Sequence, residues 1–501
     1  MRSLNLWQNT YHKKADLNKD QPQSNVIIIK GGSAMAVACG DRHTLMAIEG
    51  KAVFACGRGD FGQLGGAGRA DQRVPAPVRG LEEMLAGGRV VMVAAAKFNS
   101  AACTSDGEVL TWGAGGEGQL GHGDRDHRAA PAKLGIELFK GSPVKMVSCG
   151  GFHTMALTSA GKVFTFGCGG NGRLGHGDTS THTVPCQIPS ERFLGASIAY
   201  VCAGYCHSAA VTWRGGVWTW GWGGCGQLGH NDERDQLVPK ELLGQFGRSK
   251  VVMVSAGNAH TMALTDSEGH VWGWGLGANG RLGLGNITNS LTPARVSEPS
   301  FCQSKALMVD CGDAHTMAVT EEGELWSWGW GSHGKLGHGD RKDQLVPVRV
   351  DPKCFDGAKV ATASCGTYHS SAVTQDGRLF TWGWARDYEK ALHLGLEAPA
   401  GLGHEDLNDK LVPSLVVSLW DLGAHVGCFL RLPPLHALAF AMGTHERLGA
   451  GGSDCDSEGY KGCEYLAFPG ELIRRMVEIS SGWDDTVERK GLMRLQGCVQ
   501  R

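Results

Sequence analysis

Short apolar runs alternate with turn residues along most of this chain, and within each run the alternation has the period of a strand. Between residues 315 and 350, Met317 to Thr320 forms one run and Glu322–Gly323 a turn. Leu325 to Trp330 forms the next run, with Trp326, Trp328 and Trp330 on one face. A return segment follows, in which Val346, Val348 and Val350 alternate around Pro347. Period-two patterning bounded by Gly, Pro and acidic turn residues predicts β-strands. No long amphipathic helix interrupts it.

The same pattern recurs, and two anchors align its copies. A His-Thr or His-Ser pair falls at His43, His153, His207, His260, His315 and His369, with Asn99–Ser100 in the equivalent place of the second copy. A Leu-Gly pair falls at Leu64, Leu120, Leu174, Leu228, Leu282, Leu336 and Leu402, with spacings of 56, 54, 54, 54, 54 and 66. Seven units of three or four short strands predict an all-β fold, a seven-bladed β-propeller, because such units bury their faces only by stacking. Val26 to Ile29 reads as a further buried strand. The expected layout is a flexible N-terminal arm over 1–25, the propeller over 26–432, and a C-terminal tail over 433–501. Within the tail, Pro469 to Ser480 carries the apolar stripe and N-terminal Pro of a helix, predicted near 469–480.

Composition sharpens this picture without changing it. The 76 glycines are about twice ordinary usage, and their even spacing assigns them to turns. A net charge of −2 favours neither nucleic acid nor an anionic membrane. The arm has only Arg2, Lys13, Lys14 and Lys19 against Asp16 and Asp20, so DNA or chromatin binding is not supported. Many of the 17 cysteines share one slot (Cys39, Cys149, Cys311, Cys365) that is Ala203 or Ala256 in other copies. A slot that takes Cys or Ala asks for a small buried group. Reduced thiols, and a cytoplasmic or nuclear protein without a signal peptide or membrane span, are therefore expected.

Most of the chemistry-bearing residues recur once per unit, which points to architecture. The slot eight residues before Leu-Gly holds Cys56, Trp112, Phe166, Trp220, Trp274 and Trp328, with Trp382 matching in the last unit, as packing between blades requires. The Gly-x-Gly stretches lack the following helix that a phosphate site needs. The anchor histidines, spread one per unit, are expected to satisfy local backbone groups in their own blade, and so are the turn histidines such as His122 and His176. No metal site, cofactor or catalytic set is expected. The last unit departs from the rest: Arg386, Asp387, Tyr388, Glu389 and Lys390 open an insertion that postpones its Leu-Gly anchor. Insertions on regular scaffolds are candidates for binding.

The motif C-G-x-x-H-T-x-A-L-T, continued by the Gly-rich turn and L-G-H-G-D, resembles the regulator of chromosome condensation repeat. The resemblance covers about 26–420 and is nearest to the ubiquitin-ligase-type and ultraviolet-B-receptor-like repeat domains. It implies a seven-bladed propeller in which an N-terminal strand, here Val26 to Ile29, closes the ring with the last blade. It implies a protein-interaction scaffold or adaptor that regulates a small GTPase or engages a ubiquitin-pathway partner, with no hydrolytic or redox site. The alternative is a guanine-nucleotide exchange factor for a Ran-like small GTPase. Against ultraviolet sensing, no Trp stands two residues before an anchor His; the seven positions hold Asp41, Lys97, Gly151, Tyr205, Asn258, Asp313 and Thr367. Together with Arg42, Phe98, Phe152 and Tyr368, these are expected to line one face of the ring as a partner-binding face on a monomer.

Overall fold

The computed structural model describes residues 35–416 apart from 49–51, 67, 86–87, 248, 267–268, 297–300, 302–303 and 387–400. Seven four-stranded antiparallel sheets result, each built from one continuous stretch of chain in simple up-and-down order. The first blade takes Met35–Cys39, His43–Ile48, Ala52–Gly57 and Gln72–Pro77. The seventh takes Val360–Cys365, His369–Thr374, Leu379–Gly383 and Lys410–Leu415. The first strands of neighbouring blades pack against one another around the axis, and Met35–Cys39 meets Val360–Cys365 to close the ring. The predicted propeller is thus the observed fold. The seventh blade draws its four strands from its own segment. The proposed closing strand at Val26 to Ile29, the arm, the tail with its helix, and Asp387, Tyr388, Glu389 and Lys390 lie outside the described residues. The twelve cysteines among the described residues are all free thiols.

The core follows the predicted slots. Trp112, Phe166, Trp220, Trp274, Trp328 and Trp382 are fully buried. Each indole or phenyl ring lies under the Leu-Gly turn of the preceding blade. A Cβ on Gly175 would come 2.8 Å from the Trp220 Nε1, and one on Gly283 would come 2.9 Å from the Trp328 Nε1. The Leu-Gly glycine is therefore needed for close approach as well as for its positive φ.

The anchor histidines do not act within their own blade, as the sequence pattern suggested. Each Nε2 reaches the hydroxyl of the next blade's anchor. His153 meets Ser208 at 2.8 Å, His207 meets Thr261 at 2.8 Å, and His315 meets Ser370 at 2.9 Å. The last contact, His369 to Thr44 at 2.8 Å, closes the ring. The hydroxyl in turn donates to a backbone carbonyl in the histidine's own blade: Ser208 to Arg173, Thr261 to Gln227, Ser370 to Lys335. With its proton committed there, the hydroxyl accepts, so the imidazole must be the neutral Nε2–H tautomer. The correction has a simple cause. Local strand pairing already satisfies the backbone within a blade, while the interface between blades is where polar groups need partners.

One junction lacks this relay. In the second blade Asn99 replaces His, and neither its amide nitrogen nor its oxygen has a hydrogen-bond partner among the described residues. The reason stands three residues earlier. Other blades place Gly there, and a Cβ on Gly257 would come 2.4 Å from the His260 Cε1. The second blade has Ala96, whose methyl occupies the imidazole's place. Asn99→His alone should therefore destabilise the protein. With Ala96→Gly it should gain the missing bond to Thr154. A double-mutant cycle in urea should show favourable coupling of about 1 to 3 kcal/mol; additive effects would refute the steric account.

Candidate functional site

Two residues beyond each inner strand, the chain turns away from the axis, and there the ring opens into a mouth. A cavity of about 390 Å³ lies within it, walled by Asp41, Lys97, Gly151, Tyr205, Asn258, Asp313 and Thr367, one from each blade. Backbone bonds between blades hold five of these seven in place. The amide of Tyr205 donates to the Gly257 carbonyl at 3.1 Å, and that of Asp41 to the Ala96 carbonyl at 3.1 Å. Similar bonds run from Gly151 to Gly204, Asp313 to Gly366 and Thr367 to Gly40. Backbone contacts between blades thus fix most of the residues that wall the mouth.

The side chains sort into three groups. Lys97 is held in an aromatic cage drawn from three blades. Its Nζ donates to the Tyr205 hydroxyl at 3.0 Å and sits 5.2 to 5.4 Å from the ring centres of Phe98, Phe152 and Tyr205. Such contacts contribute roughly 0.5 to 2 kcal/mol each. Gly151 makes the cage possible, because a Cβ there would lie 2.8 Å from the Tyr205 ring. Across the mouth, the Asn258 amide donates to the Asp313 carboxylate.

The third group spans the closure between the last and first blades. Arg42 stacks 5.4 Å from the Tyr368 ring centre and 5.9 Å from Trp384, and lies 3.6 Å from Asp41. Asp41 and Arg42 are only 7% and 4% exposed, so they brace the mouth more than they present surface. Burial raises the Asp41 carboxyl above its usual range, while the Arg42 charge pulls it back down. All eleven predicted face positions thus meet at this one end. Phe152 stands behind the wall, against Tyr205 at 5.4 Å. Of the predicted insertion, Arg386 alone is described, and its Nε donates to the Leu407 carbonyl at 3.3 Å.

Sequence reasoning missed the residue just before each Leu-Gly pair. Arg173, Arg281 and Lys335 reach across to the next blade and donate to the carbonyls of Tyr205, Asp313 and Thr367 at 3.5, 3.2 and 3.1 Å. Lys335 is fully buried, with its Nζ 3.9 Å over the Trp330 ring. Burial pushes its ammonium down to about 7. The slot holds Gln, Arg or Lys in six copies and Gly401 in the seventh, and that variation was the available signal. Also missed was Asp310, inside the channel below the mouth. It accepts from the Cys365 amide at 2.7 Å and the Ser255 hydroxyl at 3.2 Å. Burial raises its carboxyl to about 6. The other copies carry Ala, Ser or Cys at this strand position. The side chain serves the neighbouring inner strand, whose edge amide would otherwise be buried unpaired.

The blade repeat, the anchors and the axial mouth agree with a family description: RCC1-like domain matches residues 6–370. The chain belongs to the RCC1-like family. It is 36% identical over 342 residues to the ultraviolet-B receptor UVR8 of Arabidopsis thaliana, covering 68% of this chain and 75% of that protein. It is 35% identical over 348 residues to the human E3 ubiquitin-protein ligase HERC2, covering 68% of this chain but 7% of that protein. Among solved structures, Prp20p of Saccharomyces cerevisiae superposes with a TM-score of 0.61 at 22% identity, covering 79% of this chain and 90% of that one. Human WBSCR16 superposes with a TM-score of 0.60 at 25% identity, covering 69% and 88%. No helix among the described residues is long and apolar enough to cross a membrane.

Proposed function

We propose that this RCC1-like propeller is a protein-docking platform without chemistry of its own, and that its partner seats on the axial mouth. The observation that carries this reading is the convergence of side chains from all seven blades on one cavity with fixed aromatic and charged groups. Lys97, Phe152 and Tyr205 form a half-exposed aromatic patch, and Asp313 supplies a carboxylate on the opposite wall. Aromatic and basic anchors held rigidly near the centre of a surface are what interface hot spots are made of. UVR8 and HERC2 carry names for light sensing and ubiquitin transfer. The seven inner positions hold no Trp, which speaks against light sensing here. A ubiquitin-pathway protein or a small GTPase is the class of partner favoured.

Capture of partners by the full chain, followed by mass spectrometry, tests the proposal. Lys97→Glu with Tyr205→Ala should lower recovery of specific partners by more than about tenfold. Deletion of 386–400 serves as the comparison. If recovery falls with the deletion and not with the mouth variants, the docking site is the insertion. Nucleotide release from a panel of small GTPases separates platform from exchange factor; the platform reading expects no acceleration.

A further inference from the structure

The third blade breaks the repeat in a second place, on its outer edge. Its Gly-His-Gly-Asp turn ends at His176 and Asp178, and its outermost strand, His182–Gln187, starts with a His and carries Cys186. In the other six copies the slot of His182 holds Gln, Arg, Ser or Lys, and the slot of Cys186 holds Ala, Lys, Val or Ser. Neither substitution alone makes a site. The fold places them together: one ligand atom each from His176, His182 and Cys186 lie within 4.8 Å of one another, and all three side chains are half-buried.

We propose that His176, His182 and Cys186 form a binding site for a borderline-soft metal ion, Zn²⁺ in particular. Two imidazoles and a thiolate are the donor set such ions select, whereas Mg²⁺ and Ca²⁺ select oxygen. The tautomer of His176 is already set for ligation. The Thr165 hydroxyl donates to the Leu174 carbonyl at 2.8 Å, so it must accept from the His176 Nε2–H at 2.9 Å. That bond leaves Nδ1 as the nitrogen with a free lone pair, and the threonine plays the orienting role that metal-bound histidines ordinarily receive from a neighbouring group. The two rings are stacked with centres 4.7 Å apart and planes 2° apart. Parallel rings aim their lone pairs along parallel planes, so binding turns one ring. Ligand atoms around a tetrahedral zinc stand about 3.5 Å apart, so the closure needed is on the order of 1 Å. Three protein ligands leave the fourth position of a tetrahedral ion to water.

The test uses the full chain, reduced and freed of metal, titrated with Co²⁺ as the spectroscopic probe. One equivalent should bind with a thiolate-to-cobalt charge-transfer absorption, and Zn²⁺ should displace it. Cys186→Ala should abolish that absorption. His182→Gln should weaken Co²⁺ binding more than about a hundredfold, beyond what loss of an outer partner costs. Ala and Gln stand in these same slots of sibling blades, so loss of the signal reports a lost ligand rather than a lost fold. Absence of the absorption in the wild-type chain, or its persistence in Cys186→Ala, would overturn the proposal.

Discussion

Acidification from about pH 6.5 towards about 3 is expected to unfold this propeller. Six imidazoles sit fully buried between blades. Burial lowers His43, His207 and His369 to about 3, and it lowers His153, His260 and His315 well below the ordinary 6.5. Each spends its Nε2 proton on the next blade, and each Nδ1 lacks a hydrogen-bond partner among the described residues. A second proton would therefore sit on a buried, unpaired nitrogen. Because the folded-state values are depressed, the unfolded chain binds more protons between about 6.5 and 3. Stability is therefore complete above the unfolded value and is lost as pH falls. Each histidine contributes a slope of about 1.4 kcal/mol per pH unit within its window. Unfolding free energy in urea, measured against pH, should drop steeply below about pH 6, with several protons taken up together. His207→Gln should reduce that uptake by one. A stability that stays flat down to about pH 4 would contradict the buried neutral ring.

Gly257→Ala is expected to cost about 3 kcal/mol or more, at the upper end for an overpacked site. Its new methyl would meet the His260 Cε1 at 2.4 Å and the Gly312 carbonyl oxygen of the next blade at 2.5 Å. The imidazole can be removed by mutation, but the carbonyl is main chain of the neighbouring blade. The second blade shows how a methyl is tolerated, by pairing Ala96 with Asn99. Gly257→Ala with His260→Asn should therefore recover part of the loss, and the pair should be better than the sum of the single changes. Chemical denaturation of the four proteins measures this. A single variant as stable as the wild type would show that this junction has slack.

These two expectations mark where local pattern stops being informative. The period of 54 residues, the turn glycines and the slot that holds Trp112, Trp220, Trp274, Trp328 and Trp382 were all readable, because strand alternation and blade packing repeat with every unit. The small-residue slot of Cys39, Cys149, Cys311 and Cys365 was readable for the same reason. The anchor histidines were recognised as structural but assigned to the wrong partner, since the hydroxyl that His153 meets lies 55 residues further on. Nothing near His153 in sequence distinguishes a bond within the blade from one across to the next. Arg173, Arg281 and Lys335 were passed over because they sit inside a turn motif that otherwise explained itself. His182 and Cys186 were invisible for a related reason: each is an ordinary residue in an ordinary strand until His176 is folded against them.

The sequence by itself determined the fold class, the number of blades and which positions share one face of the ring. Those properties follow from periodicity, and periodicity is carried by every copy. Only the tertiary structure decided what the axial positions do. Closing the ring brings residues from separate units within a few ångströms, so Lys97 finds Tyr205 across 108 positions of sequence and a missing side chain at Gly151. Contact of that kind depends on side-chain length and on which copy stands next, and neither is written in the repeat itself.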